Sequence, residues 1–305
     1  MFAYIIRRIL AMFLVLFVAL TFIFFLLRVV PGDPAEMQAG LGAPKEYVDA
    51  LREKWGLDKP VIAQYGLYLR QVFRGDFGNS TYTNLPAIEP VLERLPHTLL
   101  LAFAGLGLAV AISYPLGILA AMYANTLLDR AIVAFSLLGR SMPGFWTGIM
   151  AILLFSRRWR LLPSYGSGGL KHLVLPTCVV ASVLLAVLVR ITRSDALDEL
   201  GKDYVRTAYS KGLSQTGVMI HHVARNSLIS VITVVGLQLG RLMGGAVITE
   251  TVFSWPGIGS LLVQTLGQRD YAVVQCVLLV FAGLFAVCNL VTDVLYTFVN
   301  PRIRF

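Results

Sequence analysis

Along the chain, uncharged apolar runs recur at lengths that suit a membrane better than a soluble core. A helix needs about 20 apolar residues to cross the hydrocarbon. Six segments reach that length, at roughly 9–30, 98–124, 130–156, 171–190, 227–250 and 271–299. The first holds 19 uncharged residues, Ile9 to Leu27, behind Arg7 and Arg8. That is longer than a signal-peptide core, and no small-residue cleavage site follows it, so it reads as a first span.

Between the first two spans the pattern changes to amphipathic helix. After Pro44, KEYVDALREKWG puts Val48, Leu51 and Trp55 on one stripe and ends at Gly56, a residue suited to a left-handed C-cap. VIAQYGLYLRQVFRG repeats the pattern through Ile62, Tyr65, Leu69, Val72 and Phe73. Short helices of this kind lie on a membrane surface or cover the mouth of a bundle. The domain reading is therefore an N-terminal membrane helix at 1–30, an outer region at 31–97 and a five-helix core at 98–299.

One segment between two spans is densely polar, DYVRTAYSKGLSQTGVMIHHVARNSL from Asp203 to Leu228. Tyr204 to Lys211 reads as a short helix, with Tyr204 above Ala208 and Val205 above Tyr209 at i, i+4 spacing. Gly212 ends it, Ser214 or Thr216 caps the next helix, and the chain passes Arg225 into the fifth span. A mixed apolar and basic surface helix serves either anionic lipid or a soluble protein partner.

Composition agrees with the span pattern. The 305 residues are 57% hydrophobic and 14% charged, with mean hydropathy +0.73, against about 25% charged in a soluble domain. The net charge of +9 points to basic residues gathered at cytoplasmic ends, not to nucleic acid. With the N-terminus inside, the inner segments hold eleven Lys and Arg residues and the short outer loops five, so both termini read as cytoplasmic. Arg157, Arg158 and Arg160 in RRWR run against this rule. Cys178, Cys276 and Cys288 all sit in apolar runs, which excludes a disulfide framework or a metal cluster from the reading.

The polar segment also carries a resemblance. Asp203-Tyr204-Val205-Arg206-Thr207-Ala208, then Lys211-Gly212-Leu213-Ser214 and His222-Val223-Ala224-Arg225-Asn226-Ser227-Leu228, resemble the cytoplasmic EAA loop of bacterial ABC importer permeases. The likeness is to the peptide and nickel branch, of the dipeptide/oligopeptide permease B type. Further blocks follow the family's order: Leu27 to Pro34, Gly75 to Ser80, Leu173 to Pro176, Glu250 to Gly259, Arg269-Asp270-Tyr271, Asp293 to Tyr296, and Asn300-Pro301-Arg302. This chain has Ser230 where the branch carries Pro, so the resemblance gives no ground for a helix kink there.

The resemblance implies a type I ABC importer permease fold with six transmembrane helices in the bacterial inner membrane. It implies a second, homologous permease chain, two cytoplasmic ATP-binding subunits carrying ATP and Mg, and an external solute-binding protein. The loop at about 194–226 would hold the coupling helix. Tyr204, Ala208 and Gly212 would supply packing and the turn, Arg206 and Lys211 rim contacts to the ATPase, with Thr207 and Leu213 beside them. The expected cargo is short peptides or similar small solutes, with nickel chelates, glutathione-like compounds or opines as same-family alternatives.

No phosphate-binding GxxxxGK[ST] is present, and the nearest glycine run, Gly166 to Lys171, lacks its spacing. ATP hydrolysis is therefore expected on another subunit, and no cofactor or metal on this chain. His221 and His222 are adjacent and face different ways on a helix. No nucleophile–base set suggests an enzyme. An ATP-independent secondary transporter would predict an inverted repeat and paired midplane acids, neither of which is visible.

Charges within spans are costly and face a cavity or a partner. Arg140 and Ser141 in the third span and Arg241 in the fifth are expected on the translocation path, favouring a carboxylate-bearing ligand, with Glu250 grouped with them. The competing reading pairs one arginine with Glu250 or takes Arg140 to an interface. Glu250, Asn289 and Asp293 match family positions, which suits helix capping or pairing. The outer stretch Glu250–Gly259, with Phe253, Trp255, Pro256 and Gly257, reads as a rigid loop that gates the path or meets the binding protein.

Overall fold

The computed structural model describes residues 2–29, 33–40 and 42–299, and every described element is helical. Val30, Pro31 and Gly32 of the block after the first span, and Asn300-Pro301-Arg302, lie outside the described residues. Four described helices are long and apolar enough to cross a membrane, and two bent pairs bring the total to six when each pair counts as one span.

Helix α1 (Phe2–Val29) buries Leu20, Ile23 and Phe24 and runs along the last helix of the chain, to which the Arg8–Asp293 ion pair ties it at 2.7 Å. Three short helices follow: α2 (Pro34–Ala39), α3 (Lys45–Trp55) and α4 (Val61–Val72). As the sequence pattern requires, Val48 and Leu51 are buried with Ala35, and Gly56 closes α3 in the left-handed conformation, φ 67°. Asp33 caps α2 by accepting from the Ala35 amide at 2.8 Å, and Arg52 joins Asp33, Glu36 and Asp49 at 2.6, 2.9 and 2.7 Å.

The α4 stripe is corrected. Ile62 and Phe73 are 85% and 76% exposed, and the face that packs carries Tyr65 and Tyr68 instead. Their rings lie 5.1 and 5.3 Å from Phe24, and the Tyr65 hydroxyl sits 2.6 Å from Thr21 Oγ1. Aromatic stacking on α1 outweighs the burial of a β-branched residue and a terminal Phe.

The core is built on α5 (Ile88–Met122) and α8 (Leu170–Leu200). Helix α5 begins ten residues before the predicted span and at about 1.5 Å per residue is far longer than the about 30 Å of hydrocarbon, so it projects beyond it. The two helices meet through small residues: a Cβ on Gly105 would lie 2.3 Å from Val180 Cγ1, and one on Gly117 2.5 Å from Thr192 Cβ. Without a hydrophobic drive between helices in lipid, such close backbone approach is what holds them.

Helix α6 (Leu127–Ser141) packs on α8 and is fixed there by a two-pronged contact, Arg193 Nε and a terminal nitrogen to the two Asp129 oxygens at 2.6 and 2.7 Å. At Met142–Pro143 the chain turns by 98° into α7 (Gly144–Ala151), which continues as a π-turn to Arg158. Pro143 cannot donate to the preceding turn, so α6 ends there. The fifth span is α11 (Arg225–Val252), entered from α9 (Asp203–Ser210), α10 (Gln215–Val218) and a π-turn at Met219–Ala224. It bends by 42° between Leu228 and Ser230 without any proline. Helix α12 (Ile258–Gln268) is too short to span, and α13 (Tyr271–Val299) returns across the bundle.

Candidate functional site

At the cytoplasmic end, α9 has one buried side and one bare side. Val205 and Ala208 are 1% and 5% exposed and pack with Ala121 of α5, Ala196 of α8, and Val218, Met219 and Val223 beyond. Tyr204 is half-buried, and its hydroxyl donates to Glu199 Oε2 at 2.6 Å. Burial, together with that carboxylate, raises the phenol above its ordinary value, so it stays a donor at neutral pH. Lys202 pairs with the same carboxylate. The predicted helix therefore forms, but the seam runs through Val205 and Ala208, and Tyr209 faces out at 42% exposed.

The outward side carries Arg206, Thr207, Lys211, Gly212 and Leu213, all exposed. Arg206 meets Asp203 only at 3.8 Å with both side chains in solvent, a pair worth about 0–1 kcal/mol that leaves the guanidinium available. Gly212 takes φ 81°, where a Cβ would be strained, and Leu213 returns its amide to Ala208 at 3.3 Å. Ser214 then caps α10 by accepting from the Gly217 amide at 3.3 Å. The π-turn leaves the Ala224 carbonyl open to the Tyr114 hydroxyl of α5. This elbow is thus a rigid surface pad bonded to the ends of three spans, a shape that passes motion from outside into the bundle.

At the opposite end the structure corrects the outer-loop expectation. Phe253 and Trp255 are each 2% exposed, Gly257 is buried and Pro256 half-buried. Trp255 donates its Nε1 proton to the His97 carbonyl at 2.9 Å, so its ring serves the core and not a docking surface. Glu250 is also misplaced by the sequence reading. It has no exposed surface and accepts from Thr98 Oγ1 at 2.7 Å and from the Gly259 and Ser260 amides at 2.7 and 3.0 Å. Its carboxylate caps the start of α12, which is the capping role, and it neither lines a path nor pairs with an arginine.

Arg140 and Ser141 lie exposed at the end of α6, beside the 98° break, and Arg241 is exposed on α11. The Ser141 hydroxyl turns back to the Leu137 carbonyl at 2.9 Å. Sequence reasoning missed Thr98, Asp129 and the mode of Asp270. Asp270 is buried, accepts from the Ser80 hydroxyl and from the Thr81 and Val273 amides, and so ties the loop after α4 to the start of α13. Only Asp129 left a local signal, three residues after the capping Thr126.

A bundle of bent and unbent apolar spans with a rigid cytoplasmic pad and no nucleotide-binding motif defines a membrane translocation subunit driven from outside itself. The chain belongs to the family described as binding-protein-dependent transport system inner membrane component, whose model matches residues 113–305, while the family's N-terminal model matches residues 1–102. It is 38% identical over 302 residues to the glutathione transport system permease protein GsiC of Escherichia coli (strain K12), covering 99% of both chains. The GsiC of Salmonella choleraesuis (strain SC-B67) is 37% identical over the same 302 residues and 99% of each chain. In fold it is similar to a chain of the inward-facing MetNI methionine ABC transporter, with TM-score 0.58 at 20% identity, over 69% of this chain and 96% of that one. It is therefore the permease subunit of a binding-protein-dependent ABC importer, multi-pass in the inner membrane.

Proposed function

We propose that this permease carries short peptides, glutathione-like tripeptides among them, by alternating access. It would pair with a second, homologous permease, with two ATP-binding subunits that hold ATP and Mg, and with an external solute-binding protein that delivers the ligand. Full-length similarity to glutathione permeases supports the ligand class. The observation that carries the coupling role is the two-sided α9. Val205 and Ala208 anchor it in the bundle while Arg206, Thr207, Lys211 and Leu213 stand bare on the cytoplasmic side. A guanidinium and an ammonium at such a wet rim suit acidic groups on a partner ATPase.

The test is to purify tagged chain in mild detergent and to measure uptake of labelled glutathione and dipeptides by the reconstituted assembly. Recovery with ATPases and a second permease, and uptake that stops when ATP is withdrawn, support the reading. A chain recovered alone whose uptake survives ATP withdrawal would be an ATP-independent secondary transporter, and the reading would fall.

A further inference from the structure

Two cations inside the bundle have no acceptor. Among the described residues neither Arg140 nor Arg241 has an ion-pair or hydrogen-bond partner, and both are exposed. An arginine left against lipid at depth costs about 2.5–3.5 kcal/mol on insertion scales, which is why such residues face water or a partner group.

Separate contacts place the two at one level. The Thr98–Glu250 hydrogen bond aligns α5 with α11 near the outer end. From there α5 descends about 10 Å to Gly105 and α11 about 12 Å to Leu242, at about 1.5 Å per residue. Gly105 lies against Val180 of α8, and Leu242 shares a buried cluster with Val180, Ala181 and Leu184. On α6, a Cβ at Gly139 would sit 2.6 Å from the Ser182 carbonyl oxygen. The neighbours of both arginines thus meet the same short stretch of α8, Val180 to Leu184. Gly139 and Leu242 turn inward there, and Arg140 and Arg241 turn out.

We infer that Arg140 and Arg241 form a cationic belt on the translocation path that takes the carboxylate of the passing ligand. The inference rests on the short-peptide reading, because such peptides carry a terminal carboxylate and glutathione-like ones a second. A guanidinium offers paired donors in the plane a carboxylate needs. Two arginines at one depth would hold an anion transiently without a matching acid that competes for it.

The test uses the whole complex, with the native cysteines of this chain replaced by alanine and Ser141→Cys introduced beside Arg140. Water-soluble thiol reagents of opposite charge are then compared. The expected result is that both reach the site, that the anionic one reacts faster, and that this preference falls about tenfold when Arg140→Leu and Arg241→Leu are combined. In the chain with Ser141 intact, Arg241→Leu is expected to reduce glutathione uptake about tenfold, with Arg241→Lys retaining more than Arg241→Gln. No reaction at the introduced thiol, a charge preference indifferent to the arginines, or uptake equal in wild type and Arg241→Leu overturns the inference. An Arg241→Leu chain that no longer assembles places the residue in a subunit contact and overturns it as well. If the charge preference follows the arginines but the wild-type complex carries no peptide, the belt stands and the short-peptide reading fails.

Discussion

The Thr98 hydroxyl donates to the Glu250 carboxylate at 2.7 Å across 152 residues of sequence, and Thr98 Oγ1 in turn accepts from the Ile258 amide at 2.8 Å. One buried threonine thus joins α5, α11 and the start of α12. Because Glu250 also takes the Gly259 and Ser260 amides, the first donors of α12 are satisfied by a carboxylate where the helix dipole favours negative charge. Glu250→Ala should cost about 3 kcal/mol by stranding three buried donors, and Glu250→Gln less, since the amide oxygen still accepts. Thermal unfolding in detergent should rank them wild type, then Gln, then Ala. Equal midpoints for Ala and wild type would refute the cap.

Gly257 stands against the same carboxylate. A Cβ there would fall 2.2 Å from Glu250 Cδ, although its backbone, φ −96°, is open to any residue. Gly257→Ala is therefore a purely steric insertion and should lower stability by about 2 kcal/mol. Gly267, exposed near the end of α12 with open space at its Cβ, is the control, and Gly267→Ala should stabilise by about 0.5–1 kcal/mol. Unfolding midpoints that shift the same way for both variants would contradict the packing argument.

The outer helices give a pH-dependent prediction. Burial works against the Asp33 charge, but the Ala35 amide and the Arg52 guanidinium together hold its carboxyl below the usual range. A depressed folded-state pKa contributes stability that is full above the unfolded value, about 3.9, and is lost as pH falls through the lower folded value. At pH 7, Asp33→Asn should speed exchange of α2 and α3 amides relative to wild type. Below both pKa values, with intrinsic rates divided out, the two proteins should exchange alike. A difference that persists there would mean the cap acts by shape and not by charge.

The spans and α9 were legible because each is a local pattern. Lipid demands internally bonded backbone, so apolar length alone marks a helix, and Gly56 and Gly212 mark ends through their left-handed turns. What was not legible depends on partners far away in sequence. Trp255 reads as a mouth residue until the His97 carbonyl appears 158 residues away, and Glu250 reads as a path charge until Thr98 does. The α4 seam was misread because Tyr65 and Tyr68 follow the rings of α1 and not the apolar count of their own helix. The coupling stretch was recognisable as a motif, yet its inward residue, Val205, was masked by assigning the seam to Tyr204 and Ala208.

That division of α9 yields the last prediction. Val205 and Ala208 hold the pad to the bundle, whereas Arg206 and Lys211 contribute almost nothing to the fold of this chain, since Arg206 has only its solvent-exposed contact with Asp203. Val205→Asp should bury an unpaired carboxylate and destabilise the permease strongly, by about 3 kcal/mol or more, before any question of coupling arises. Arg206→Glu combined with Lys211→Glu should leave the unfolding midpoint of the isolated chain within error. It should nonetheless weaken recovery of the ATPase subunits and lower ATP-dependent uptake at least tenfold, an effect stronger at low salt, where exposed charges are least screened. Full ATPase recovery with the doubly reversed chain would mean that the basic face of α9 meets lipid and that the motor docks elsewhere.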